Sequence, residues 1–244
     1  MEEAELMQQT IRAKIYGDSL MKGTVIDCAY RYHATINAYL DKLYQRFHIE
    51  ADNRARFGIT IDKGHSLLRQ DIEAGMDCDF ALIEFGGNDC NFRWNEISVD
   101  PHRDHQPLTD FDHFRETCKA MIEEVRQAGV NPVTMTLPPI DAERYLSFLT
   151  RNGNDRNRIL QWLGDVQQIF RTHERYSNEV ARVARETNTP LVDVRSRFLK
   201  ENDYRQLLCI DGVHPNENGY RVISDAFAEF MATVLPAYGV AAGA

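Results

Sequence analysis

The sequence predicts an α/β fold in which a parallel sheet carries helices on both faces. Three observations predict it. Short apolar runs of strand length alternate with longer stretches whose apolar residues recur at helical spacing. The 244 residues suffice for one sizeable domain, and no internal repeat, low-complexity tract or linker-like stretch divides them. The residues with chemical potential follow strand ends, where open α/β sheets hold their sites.

Residues 12–16 form the first expected strand. Ile36, Tyr39, Leu40, Leu43, Tyr44 and Phe47 then share one helical face. A weak strand is expected over 53–57, where Arg54 and Arg56 interrupt the apolar pattern. Residues 80–85 read as a fully buried strand that ends at Gly86-Gly87. Phe111, Phe114, Cys118, Met121, Ile122 and Val125 form a second helical stripe, terminated by Gly129. A strand over 133–137 is stopped by Pro138-Pro139. Val166, Ile169, Phe170, His173, Val180 and Val183 mark a long helix, residues 191–194 a last strand, and Tyr220, Ile223, Phe227, Phe230 and Met231 a last helix.

Between the strand over 133–137 and the long helix, residues 141–164 are more than a turn needs. They hold two apolar clusters, Tyr145, Leu146, Phe148, Leu149 and Ile159, Leu160, Trp162, Leu163, around a polar stretch. The expectation is a helical insertion within a single 1–244 domain. It would pack on the core or on a second subunit, or cap the site; its apolar clusters would suit a homodimer.

Composition narrows the function. With 43% hydrophobic and 27% charged residues the chain is globular, and 28 basic against 37 acidic residues give a net charge of −9. That balance disfavours nucleic acid and anionic membranes as partners. No apolar run approaches the roughly 20 residues of a membrane span. Residues 1–10 are acidic and polar and do not read as a signal peptide. Five widely spaced cysteines without a CxxC pair read as free thiols in a reducing cytoplasm.

Four loops carry the chemistry. Gly17-Asp18-Ser19-Leu20 follows the first strand and can present a serine hydroxyl. Gly58-Ile59-Thr60 follows the weak strand, and Gly86-Gly87-Asn88-Asp89 the buried one. Asp211-Gly212-Val213-His214-Pro215 precedes the last helix and can bring an aspartate beside a histidine. Together they supply a nucleophile, a base, an orienter of that base and oxyanion donors. Each motif alone is unspecific; their order is the signal. His102, Asp104, His105 and His113 are residue types that can ligate a metal. Arg103 among them opposes a cation, so they read as a solvated loop, and neither a metal nor an organic cofactor is expected. Phosphate-loop and dinucleotide glycine motifs are absent.

These motifs, in this order and over roughly residues 14–234, resemble those of the SGNH hydrolases, the GDSL family of esterases and lipases. The resemblance implies a three-layer α/β/α sandwich with a five-stranded, flavodoxin-like parallel sheet. It implies Ser19 as nucleophile, His214 as general base and Asp211 as its orienter. It also implies an oxyanion hole from the N–H groups of Ser19 and Gly58 and the Asn88 amide. Arg54, Arg56 and Phe57 depart from the small or hydroxylated residues that the family usually carries there. Asp18, Asp89 and Trp94, the last on a polar rim over 91–110, are expected to touch substrate. The expected activity is hydrolysis of a small-molecule ester through an acyl-enzyme, with a short or acetyl acyl group on a small or carbohydrate-like alcohol. Lysophospholipase or thioesterase action on longer chains, and a non-catalytic binding protein on this scaffold, are the alternatives.

Overall fold

The computed structural model of the chain describes residues 10–34 and 38–234. Strands β1 (Ile11–Tyr16), β2 (Thr24–Ile26) and β3 (Tyr32–Ala34) precede helix α1 (Ala38–Arg46) and β4 (Ile49–Asn53). Then come α2 (Ile61–Glu73), β5 (Phe80–Ile83), α3 (Trp94–Val99), α4 (Phe111–Gln127) and β6 (Asn131–Met135). The hairpin α5 (Ala142–Thr150) and α6 (Arg156–Leu163) leads to α7 (Gln167–Glu186), β7 (Leu191–Val192), α8 (Val194–Leu199) and α9 (Glu217–Val234).

Among the described residues, five strands form one parallel sheet in the order β4-β1-β5-β6-β7. Side chains alternate between its faces, as the pleat requires. Ile11 and Ile15 of β1, and Phe80 and Leu82 of β5, join a core with Leu40 and Leu43 of α1, Phe198 of α8 and Ile223 of α9. Tyr16 of β1, and Ala81 and Ile83 of β5, face the other way, onto Leu68 of α2, Met121 of α4 and Val180 of α7. The three-layer α/β/α sandwich is thus the expected one, and β5 is apolar at every position because both its faces are covered.

The weak strand is displaced. It lies at Ile49–Asn53, not over 53–57, and its sequence gives little warning because it is a half-exposed edge. Residues 54–57 still follow β1. The Arg54 N–H donates to Ile15 O at 2.9 Å and the Arg56 N–H to Gly17 O at 3.1 Å, which carries Phe57 and Gly58 toward the nucleophile turn. The β2–β3 hairpin, α2, α3 and α8 were not anticipated; the first and the last two are short, and α3 replaces part of the expected 91–110 loop. Ile36 of the first helical stripe and residues 1–9 lie outside the described residues.

The 141–164 insertion is a helical hairpin. Asp141 and Asp155 cap its two helices by accepting N–H groups of their first turns. Leu146, Ile159 and Leu163 are buried in a third core with Ile97 of α3 and Ile169 of α7. Most of its apolar residues therefore pack within the chain. No helix among the described residues is long and apolar enough to cross a membrane.

Candidate active site

In chain order the sheet runs second, first, third, fourth, fifth. Connections leave β1 and β5 in opposite directions, and the crevice between their carboxyl ends is where such sheets bind ligands. Gly17–Leu20 emerges there as a tight turn: the Thr24 N–H returns to Ser19 O at 3.0 Å, and Asp18 Oδ1 accepts the Leu20 N–H at 2.9 Å. The turn holds Ser19 at the wall of a cavity of about 170 Å³.

The loop before α9 comes to meet it. Cys209 N–H donates to His214 O at 2.7 Å and Gly212 N–H to Cys209 O at 3.0 Å, folding Asp211 and His214 onto one side. Asp211 is 1% exposed. Its Oδ1 accepts the backbone N–H groups of Val213 and His214, each at 3.1 Å, and its Oδ2 lies 2.6 Å from His214 Nδ1. A carboxylate so held accepts a hydrogen bond from Nδ1–H, which keeps the proton on Nδ1 and leaves Nε2 of the neutral ring as an acceptor. His214 Nε2 stands 2.9 Å from Ser19 Oγ, in line to take the hydroxyl proton. The three residues that the sequence singled out, 195 positions apart at the extremes, are one hydrogen-bonded relay.

Donors for an oxyanion surround the serine. Among the described residues no acceptor takes the backbone N–H of Ser19 or of Gly58. Gly58 has φ +74°, a left-handed conformation that a side chain would strain. Asn88 is held by its own amide: Nδ2 donates to Asp18 Oδ2 at 2.9 Å and to Ile59 O at 3.1 Å. Donation to an oxyanion thus requires sharing one of these hydrogens. Asn88→Ala is expected to lower kcat by roughly 10²–10³ with little change in KM, because an oxyanion donor acts mainly on the transition state. Steady-state kinetics check this; a change in KM alone would make Asn88 a substrate-binding residue.

Asp18, Asp89 and Trp94, expected at the substrate, take different places. Asp18 lines the cavity, but both its oxygens are engaged by Leu20 and Asn88, so it positions the oxyanion side. Burial raises its carboxyl above the ordinary range. Asp89 is 0% exposed and away from the cavity wall. It accepts from Ile61 N at 2.9 Å, Thr109 Oγ1 at 2.6 Å and Gly86 N at 3.0 Å, tying together three segments behind the site. It is a structural hub, which corrects the sequence reading. Asp89→Ala leaves three buried donors unmatched and is expected to cost about 3 kcal/mol of stability, read by thermal unfolding.

Burial also raises the Asp89 carboxyl to about 6. The folded state then holds this proton more tightly than the unfolded state does. This group's contribution therefore improves as pH falls from about 6 toward 4 and worsens as pH rises through 6.

Trp94 is 6% exposed and donates its indole N–H to Asn91 Oδ1 at 2.6 Å. Phe92, Tyr145 and Trp162 pack edge-on around it, so it anchors α3 at the cavity wall and presents no open platform.

The open aromatic surface lies elsewhere. Tyr32 from β3 and Phe57, 53% exposed, flank the His214 ring with centroids at 5.4 and 6.2 Å. Phe148 of α5 adds a third ring, under the Arg151 guanidinium at 3.7 Å. Phe57 is visible in the sequence as a departure from the family pattern and Phe148 as part of the 141–164 insertion, whereas Tyr32 carries no local signal. The histidines of residues 102–113 do not converge: His113 pairs with Asp62 and His105 with the Asp100 carbonyl. No cluster of metal-ligating side chains occurs among the described residues. All five cysteines are free, and burial raises the Cys90 thiol, so it is a poor rival to Ser19 as nucleophile.

A hydroxyl, an imidazole and a buried carboxylate in relay, beside unengaged backbone donors on an α/β sheet, form the arrangement that serine hydrolases use. The chain belongs to the GDSL-like Lipase/Acylhydrolase family, whose model matches residues 15–222. It is 22% identical over 157 residues to the GDSL esterase/lipase CPRD49 of Arabidopsis thaliana, covering 62% of this chain. The chain spans about half the length of that curated relative, 54%. Its fold matches a lipase/acylhydrolase from Enterococcus faecalis at TM-score 0.62 and 19% identity, over 91% of this chain and 95% of that one. It also matches a catalytic mutant of Axe2, an acetylxylan esterase from Geobacillus stearothermophilus, at TM-score 0.64 and 21% identity, over 92% and 96%.

Proposed function

We propose that the protein is a serine esterase that hydrolyses short-chain acyl esters, acetyl esters foremost, of a small or carbohydrate-like alcohol. The observation that carries the esterase reading is the relay from Asp211 through His214 to Ser19 Oγ. His214 takes the Ser19 proton as Oγ attacks the ester carbonyl, and Asp211 stabilises the imidazolium that forms. The carbonyl oxygen becomes an oxyanion facing the Ser19, Gly58 and Asn88 donors. His214 returns the proton to the departing alcohol and leaves an acyl-enzyme on Oγ. Water, deprotonated by the same ring, then releases the acid and restores the serine.

The size of the cavity supports the short-chain reading. An apolar cavity of about 150 Å³ takes benzene, so the roughly 170 Å³ here suits a few heavy atoms on either side of the scissile bond. A long chain would need a continuous apolar groove, gaining about 0.8 kcal/mol per CH₂ buried. The rings of Tyr32, Phe57 and Phe148 at the mouth favour the flat apolar face of a sugar as the alcohol. The acetylxylan specificity in the name of one structural neighbour points the same way. The free thiols fit a reducing cytoplasm. A p-nitrophenyl ester series from acetate to palmitate tests the acyl preference. The expected kcat/KM maximum lies at two to four carbons, on the order set by that cavity; a maximum at eight or more would instead favour a lysophospholipase or thioesterase.

A further inference from the structure

The cavity has an inner wall that ester chemistry leaves unused. Glu84 directly follows β5 and His173 lies on α7, and both line the cavity together with Ser19, Leu137 and Ile169. Glu84 is 1% and His173 5% exposed, yet Glu84 Oε1 and His173 Nδ1 have no hydrogen-bond partner. The other buried unpartnered side-chain atoms among the described residues belong to Arg54, Arg115, Glu179 and Arg195, which sit in ion pairs and do not line this cavity. Buried polar groups in folded proteins nearly always have a partner. Two that lack one, in the lining of the cavity that also holds the nucleophile, mark a place for a guest.

The position of Glu84 is set from below. Its Oε2 accepts the Asp18 N–H at 3.3 Å, and a Cβ on residue 17 would stand 2.9 Å from that oxygen. Glycine at position 17 therefore admits the carboxyl directly behind the turn that carries Ser19. Burial, reinforced by Asp18, raises the Glu84 carboxyl well above its ordinary range. Burial, with Arg195 nearby, lowers His173 to about 3, so its ring is neutral. A buried carboxyl and a buried imidazole, each with one unpartnered atom, together offer hydrogen-bond donor and acceptor capacity. They match a hydroxyl, which also does both.

We infer that Glu84 and His173 form an inner subsite for a hydroxyl group of the substrate, so that the preferred ester carries a hydroxyl beside its reacting centre. The inference rests on the esterase reading for its place in catalysis. The hydroxyl can come from a hydroxyacyl group or from a polyol alcohol; the recognition chemistry is the same.

Matched ester pairs separate the two sources. One arm compares p-nitrophenyl 3-hydroxybutyrate with the butyrate, and the other glyceryl monoacetate with propyl acetate. In one arm the hydroxylated ester is expected to have the higher kcat/KM by at least about tenfold, because its analogue leaves buried polar groups unmatched. His173→Phe should bring that ratio to near one. Glu84→Gln, which keeps a hydrogen-bonding group of the same shape, should preserve it.

The His173 ring signal in NMR spectra of Ser19→Ala protein is a second readout, independent of turnover. It should shift with glycerol or 3-hydroxybutyramide and not with propanol or butyramide. A shift without turnover of any ester would sink the esterase reading and leave the subsite standing. Ratios near one in both arms, with an unmoved His173 signal, would overturn the subsite and assign both atoms to buried water.

Discussion

Ser19→Ala is expected to lower ester turnover by about 10⁶-fold while the protein stays folded. The substitution removes the one oxygen that His214 Nε2 faces, 2.9 Å away, and with it the acyl-enzyme. The burial of the residue argues against a large structural effect, because a methyl group fits where a hydroxymethyl stood. Only one hydrogen bond is lost, about 1 kcal/mol. The turn itself is held by Asp18 Oδ1 and by backbone bonds that the substitution leaves in place. Turnover of a short p-nitrophenyl ester, labelling by a fluorophosphonate and thermal unfolding should be measured on the same preparation. Labelling of the wild type at Ser19, lost in the variant, is the expected pattern; turnover near that of the wild type would remove Ser19 from the mechanism.

His214→Ala is expected to cost about as much as Ser19→Ala, and the double variant no more than either alone, because the pair acts as one unit. Asp211→Asn tests a finer point. The two backbone N–H groups that Asp211 Oδ1 accepts would hold the amide oxygen of an asparagine in the same place. The amide nitrogen would then face His214 Nδ1, and it can only donate. The ring must turn to the tautomer with its proton on Nε2, which cannot accept from Ser19 Oγ. A loss of about 10⁴ in kcat is expected with the fold intact. Full activity in Asp211→Asn would mean that the carboxylate does not set the tautomer, and additive losses in the double variant would break the relay into independent parts.

The layered fold was legible because its signals are local. Apolar runs such as Phe80–Ile83 and helical stripes such as Phe114, Cys118, Met121 and Val125 report burial on one face or two through their spacing alone. The edge strand β4 was misplaced by several residues because its outward face is solvated, and an edge needs no apolar alternation. The β2–β3 hairpin escaped because three-residue strands carry too few positions for a period to appear.

For the site the division is similar. Ser19, Gly58, Asn88, Asp211 and His214 could be named because the chemistry demands those residue types, and each follows a strand end or a loop whose glycine or proline marks it. The chain by itself thus determined the fold class and its family, and marked the loops whose side chains meet in the relay. Only the tertiary structure decided which carboxylates serve the site. Asp18, Asp89 and Glu84 look alike in the sequence. Asp18 holds the Asn88 amide, Asp89 ties three buried donors behind the site, and Glu84 Oε1 is left facing no partner. The reason is physical: a side chain's type is written at its own position, while its partners, its burial and its charge state are supplied by segments up to 195 residues away.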